Sequence, residues 1–166
     1  MTFAPGVVHA GSANTSLIAA AVAAAKAADV TIAVVGLDGD NEGEGHDRGN
    51  TSLLGAQSAL VLALLAAVGP RRLVVVFVNG GLLSPDWVKR HCPTVVGVFE
   101  GGQSGGTALA EILAGDVSSS GMLPYTMYPM TYLGQVLHQD MSMRTAPSRS
   151  CRFYSGSRLC GPSGSR

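Results

Sequence analysis

Charge is scarce in this chain. Only 13% of its 166 residues are charged, with eleven basic and eleven acidic side chains, so the formal net charge is zero. No field exists that would draw in DNA, RNA or an anionic membrane. Cysteine is scarce too: Cys92, Cys151 and Cys160 are distant and odd in number, which gives neither a disulfide framework nor a metal-ligand spacing. An uncharged apolar run of membrane-spanning length is absent. The longest apolar stretch, residues 17–35, contains Lys26 and Asp29 and makes a poor span. It also lies too far in, without a basic leader, to read as a signal peptide, so no targeting information is expected at this N-terminus.

Apolar residues are plentiful, at 46% of the chain. That is enough for one compact core and argues against disorder. Their order is more informative than their number. Residues 15–28 are alanine-rich after a candidate cap at Asn14 or Thr15, and they run into a β-branched stretch, residues 29–38. The cycle repeats, with a predicted helix over 55–69, a stop at Gly69-Pro70 and an apolar strand over 72–81. A short helix over 84–91 and a strand over 94–102 follow, then a fourth helix over 104–115. Helices alternating with wholly apolar strands imply an α/β fold whose mostly parallel sheet is covered on both faces. Ligands of such sheets gather at the loops after the strand C-termini. The loops at Asp38, at Asn79-Gly80-Gly81 and at Glu100-Gly101-Gly102 are therefore expected to share one rim. From about residue 135 the chain turns rich in Ser, Arg, Gly and Pro. The expected division is a folded domain over 1–135 and an extended or disordered tail over 136–166.

The first of those loops holds five of the eleven acidic residues within ten positions: Asp38, Asp40, Glu42, Glu44 and Asp47. It opens like a calcium loop, with Asp38, Asp40 and Glu42 at alternate positions and Gly43 at the sixth. The twelfth position is Gly49 rather than a bidentate Glu, and the preceding element is a strand, so calcium is not expected. The glycine spacing fits neither nucleotide-binding signature, and the carboxylates would repel a phosphate. Carboxylate chemistry on an uncharged substrate such as a sugar fits better. Glycoside hydrolysis needs one protonated and one ionised carboxyl group, and crowding of negative charge helps one of them keep its proton. A solvated acidic loop without chemistry competes with this reading. Asp47-Arg48 reads as a local ion pair or loop clasp. His46 balances charge within the loop, His91 and His138 have no paired ligands nearby, and Trp87 reads as a packing residue before a sugar platform.

Taken in order, the motifs resemble the C-terminal α/β sandwich domain of glycoside hydrolase family 3, of β-xylosidase or β-glucosidase type. The matching stretches are AAKAADVTIAVVGLD (24–38), E-x-E-G-x-D-R (42–48) with SLLGAQ (52–57), VVVFVNGG (74–81), EGGQSGGTALAEILAGD (100–116) and SGMLPYTMYP (120–129). DMSMR (140–144) and RFYSG (152–156) are similar to the xylosidase-type segment beyond this domain. The resemblance implies an incomplete α/β sandwich whose first strand is missing. It also implies a retaining glycosidase whose nucleophilic Asp sits on a separate N-terminal barrel, while this domain supplies the general acid/base. The motif register puts that role on Glu42, with Glu44 as runner-up and Asp38, Asp47 and Arg48 as loop or substrate-loop residues. No metal or organic cofactor is implied. The implied partners are an oligosaccharide from xylan or glucan and the barrel, in cis or in trans. The family is often secreted or vacuolar.

The sequence also departs from the family pattern. Glu100-Gly101-Gly102 stands where an aromatic-Pro-Gly is usual, Met122 replaces a basic residue, and the Pro of the Leu-Pro-Gly-Gln turn is absent. With no barrel there is no nucleophile, so the isolated chain is expected to show little or no activity. The competing functions are a non-catalytic carbohydrate-binding or partner-docking module that lost the barrel, and an unrelated Rossmann-like binding domain.

Overall fold

A computed structural model describes residues 1–125, 127–137, 139–146, 148, 149 and 153. Its elements follow the alternation of the sequence: α1 (Ile18–Lys26), β1 (Thr31–Gly36), α2 (Gln57–Val68), β2 (Leu73–Val78), α3 (Asp86–His91), β3 (Thr94–Gly97) and α4 (Gly105–Ala114). The strands form one parallel sheet in the order β1-β2-β3, with Thr31 opposite Leu73 and Val74 opposite Thr94. An open parallel sheet with helices is the architecture of an incomplete α/β sandwich.

Where the element ends differ from the sequence reading, backbone chemistry explains the difference. Asn14 does accept a hydrogen bond from the Ser16 N–H, at 2.8 Å, but this closes a turn ahead of α1, which starts at Ile18. Both later strands end earlier than the sequence reading puts them, at Val78 and Gly97. Gly69-Pro70 ends α2 as the sequence suggests, since proline has no N–H to continue the helix.

The core lies on one face of the sheet. Ala21 and Ala25 of α1, Leu60, Val61 and Leu64 of α2 and Val88 of α3 pack with Ala33 and Val35 of β1 and with Val75 and Phe77 of β2. Trp87 packs against this cluster, in keeping with a structural role. On the other face Val76 of the central strand is fully buried as well, and the exposed apolar residues lie at the β1 edge. Ile32 and Val34, which alternate with Ala33 and Val35, remain 46% and 57% exposed. β1 is also an edge strand, beside an apolar groove of about 340 Å³ bounded by residues 2–7 and the alanines of α1.

One buried amide closes the end of that edge. The Leu37 N–H donates to the Val78 carbonyl at 2.9 Å, so the Gly36 peptide groups, one residue earlier, face away from β2. Gln57, only 2% exposed, meets them there. Its Oε1 accepts the Gly36 N–H at 2.6 Å, and its Nε2 donates to the Gly36 carbonyl at 2.8 Å and to that of Ala10 at 2.9 Å. The side chain thus stands in for the next strand. Gly36 itself must lack a side chain, because a Cβ there would overlap the Val78 backbone.

Beyond α4 the described chain runs through a 3-10 turn at Met130–Gly134. The Tyr132 hydroxyl donates to the Ser148 carbonyl at 2.7 Å, which ties the turn to the start of the Ser/Arg-rich segment. Asp140 accepts from Ser142 and Thr145, which hold its carboxyl down at about 2. Cys151, Cys160, His138 and most of residues 152–156 lie outside the described residues.

Cys92 is buried, and desolvation pushes its thiol up from the ordinary value. Because the thiolate is the reactive form, Cys92 is expected to resist alkylation in the native chain and to react fully in denaturant. Mass spectrometry of the Cys92 peptide after iodoacetamide pulses checks this; rapid native labelling would contradict it.

Candidate active site

The acidic loop begins where β1 ends. The Asp38 carbonyl accepts the N–H groups of Asn41 and Glu42, at 3.0 and 3.1 Å, which turns the chain back over the sheet rim. Asp38 Oδ2 accepts the Ala10 N–H at 3.1 Å, anchoring that turn to the N-terminal segment. Asp38 is therefore a loop anchor.

The turn delivers Glu42 to the loop after β2. Its Oε1 accepts the Gly80 N–H at 2.6 Å and its Oε2 accepts the Gly81 N–H at 2.7 Å. Two successive peptide N–H groups aimed at one carboxylate form a small anion-binding nest. Arg48 Nη2 lies 4.0 Å from Oε2. The same guanidinium donates to the carbonyls of Asn50, at 3.2 Å, and Leu82, at 2.6 Å. The expected loop clasp at Arg48 is present, but its ionic partner is Glu42 rather than the adjacent Asp47, which is exposed. Neighbours in an extended chain point apart, whereas the returning turn brings Glu42 within reach.

Glu44 lies at the loop tip, between Gly43 and His46, which close a single antiparallel bridge, and it is exposed. The third loop contributes Glu100, which the sequence reading placed on this rim without giving it a role. A Cβ placed on Gly80 would lie 3.1 Å from Glu100 Oε1 and 3.2 Å from Glu42 Oε1, so the two carboxylates flank this glycine. Glu100 follows the end of the third strand, and that position was the available signal. An open depression of about 540 Å³ runs between the loops, with Glu42, His46, Asp47, Arg48 and Glu100 on its walls. Among the described residues no three His, Cys, Asp or Glu side chains converge as a metal site.

Gly80 and Gly81 are small because the carboxylate occupies the space of their side chains. A Cβ on Gly81 would sit 2.5 Å from Glu42 Oε2. Gly81→Ala is expected to expel Glu42 from the clasp while costing about 1 kcal/mol or less of stability, since the obstacle is the end of a flexible side chain. The Glu42 carboxyl ¹³C resonance should move and the urea midpoint should hardly change; an unmoved resonance would contradict the geometry.

A parallel α/β sheet carrying a carboxylate-lined depression at its strand C-termini defines an α/β domain with its candidate site at the sheet rim. Comparison with known proteins narrows the class. The model of the glycosyl hydrolase family 3 C-terminal domain matches residues 5–157, and the chain belongs to that family. It is 38% identical over 147 residues to beta-D-xylosidase 3 of Arabidopsis thaliana, covering 84% of this chain and 19% of that one. A family 3 exo-beta-xylosidase solved with a xylobiose aziridine activity-based probe superposes with a TM-score of 0.84 at 32% identity, over 93% of this chain and 20% of that chain. A beta-glucosidase from Kluyveromyces marxianus, solved with glucose, superposes with a TM-score of 0.60 at 33% identity, over 66% of this chain and 13% of that one. The chain spans about a fifth of the length of the curated xylosidases it matches.

Proposed function

We propose that this domain supplies the general acid/base to a retaining glycosidase of β-xylosidase, α-L-arabinofuranosidase or β-glucosidase type, and that Glu42 is the proton carrier. The supporting observation is the clasp. Glu42 is held at the rim of an open depression by the Gly80 and Gly81 N–H groups, while Glu44 stands free at the loop tip. In the state described both Glu42 oxygens accept hydrogen bonds. To act as an acid, Glu42 takes up a proton and turns one oxygen outward. Releasing Gly80 frees Oε1, while Gly81 and Arg48 retain Oε2. The proton then passes to the leaving glycosidic oxygen. The carboxylate so formed returns to the clasp and deprotonates the water that releases the glycosyl-enzyme.

The nucleophile in this scheme is the Asp of a barrel domain, joined in cis or bound in trans. The decisive experiment substitutes residues 5–157 for the matching domain of a family 3 xylosidase and measures xylobiose hydrolysis with and without Glu42→Gln. Hydrolysis that depends on Glu42 supports the reading.

The same clasp favours a second reading, a carbohydrate-binding module without catalysis. A carboxylate tied by both oxygens is well placed to accept from a sugar hydroxyl. Sugar binding by the chain, together with an inactive chimaera, would select it.

A further inference from the structure

The Gly80–Gly81 turn cannot hold Glu42 unless something holds the turn. β2 ends at Val78, and Asn79 is the last residue there that remains buried, at 3% exposure. Its Nδ2 carries two protons, and both have acceptors. One bond runs 2.8 Å to the Gly81 carbonyl and the other 3.1 Å to the Tyr125 hydroxyl. The first closes a ring around Gly80, which fixes the peptide planes so that the Gly80 and Gly81 N–H groups both face Glu42. The second orients the amide that closes the ring. Without Tyr125 the buried second proton of Nδ2 would lack its partner, and the amide would be free to turn away from Gly81.

Tyr125 is itself braced. Its ring meets Phe99 edge-on, with centroids 5.7 Å apart and planes at 87°. Phe99 holds this position at φ 55°, a left-handed backbone angle that costs a bulky residue roughly 1–2 kcal/mol. Glu100 follows directly, so the strained residue shapes the same loop that carries the second carboxylate. Segments after β2, after β3 and after α4 thus meet at Tyr125.

We infer that Asn79 and Tyr125 are positioning residues for the site: the Tyr125 hydroxyl fixes the Asn79 amide, the amide fixes the Gly80–Gly81 turn, and the turn fixes Glu42. The catalytic meaning of this relay rests on the function proposed above. The relay itself does not, because it can be read from the clasp alone.

The test uses the full chain labelled with ¹⁵N and with ¹³C at the glutamate carboxyls. Tyr125→Phe keeps the ring against Phe99 and removes only the hydroxyl, so the fold is expected to persist. Amide exchange at Gly80 and Gly81 should speed up about tenfold, and the Glu42 carboxyl resonance should shift in the same direction as in Gly81→Ala. Exchange at Val75 and Phe77 in the central strand should stay within about twofold, which a general loosening of the fold would not allow. Asn79→Ala should produce the larger change of the two. Unchanged Gly80 and Gly81 exchange in Tyr125→Phe overturns the relay. So does unchanged exchange in Glu42→Gln, because the clasp would then be absent in solution. Failure of the proposed function would show elsewhere, as a chimaera whose hydrolysis ignores Glu42 while the relay remains intact.

Discussion

Glu42→Gln is expected to lower hydrolysis of xylobiose on the order of 10²–10⁴-fold in a chimaera that joins this domain to a family 3 barrel. The size follows from the leaving group. A sugar alkoxide is a poor leaving group and needs a proton as the bond breaks, and glutamine can offer none. An aryl glycoside with an activated leaving group departs without that help, so its glycosylation step should fall far less. The glycosyl-enzyme would then accumulate, because the water that releases it has lost its base. Azide, which needs no base, should restore turnover of the activated substrate and yield the glycosyl azide. Glu44→Gln should leave both substrates within about threefold of the parent. The rival assignment predicts the reverse pattern, with azide rescue in Glu44→Gln alone. If that is measured, the proton carrier is the residue at the loop tip and the clasped Glu42 is an anchor.

The second large effect concerns stability. Gln57→Leu should destabilise the chain by about 2–4 kcal/mol, read as a fall in the urea midpoint at unchanged slope. Leucine nearly matches the volume, so packing contributes little. The loss comes from the Gly36 N–H, the Gly36 carbonyl and the Ala10 carbonyl, all of which Gln57 satisfies in the core. Leucine leaves these groups dry and unpaired, and each such group carries its own desolvation penalty. Gln57→Glu sharpens the test. It keeps an acceptor for the Gly36 N–H but loses both donated bonds and buries a charge, so it should be no better than leucine. A loss below about 1 kcal/mol in Gln57→Leu would mean that water enters the edge of β1 and replaces the amide. Because the acidic loop starts directly after Gly36, the same variant should also disturb the Glu42 carboxyl resonance.

Much of the architecture is written in local patterns. Residues 31–36 and 73–78 are β-branched and apolar, the alanine-rich and leucine-rich stretches between them are helical, and Gly69-Pro70 ends a helix by removing a donor. These are near-neighbour effects, and they needed no knowledge of the fold. The convergence of three glycine-rich loops was also legible, because parallel strands place all their C-termini at one end. The exposure along the edge of β1 was not. Ile32 and Val34 look like core residues in a sequence, and only the sheet order shows that they stand on an edge strand.

The candidate site divides in the same way. By itself the sequence determined the acidic loop, from residue types at short spacing, and the family, from motifs in order along the chain; the proposal of Glu42 follows from that resemblance. Which partner Arg48 takes, which peptide groups hold Glu42, and that Tyr125 belongs to the same place were decided by the tertiary structure. The Arg48–Glu42 pair spans six positions across a turn, and the other contacts join residues 38, 39 or 46 positions apart. Their distances depend on how far each loop swings beyond the sheet, and that is set by turns, by buried amides such as Asn79 and Gln57, and by one strained Phe99, none of which leaves a periodic trace in the chain.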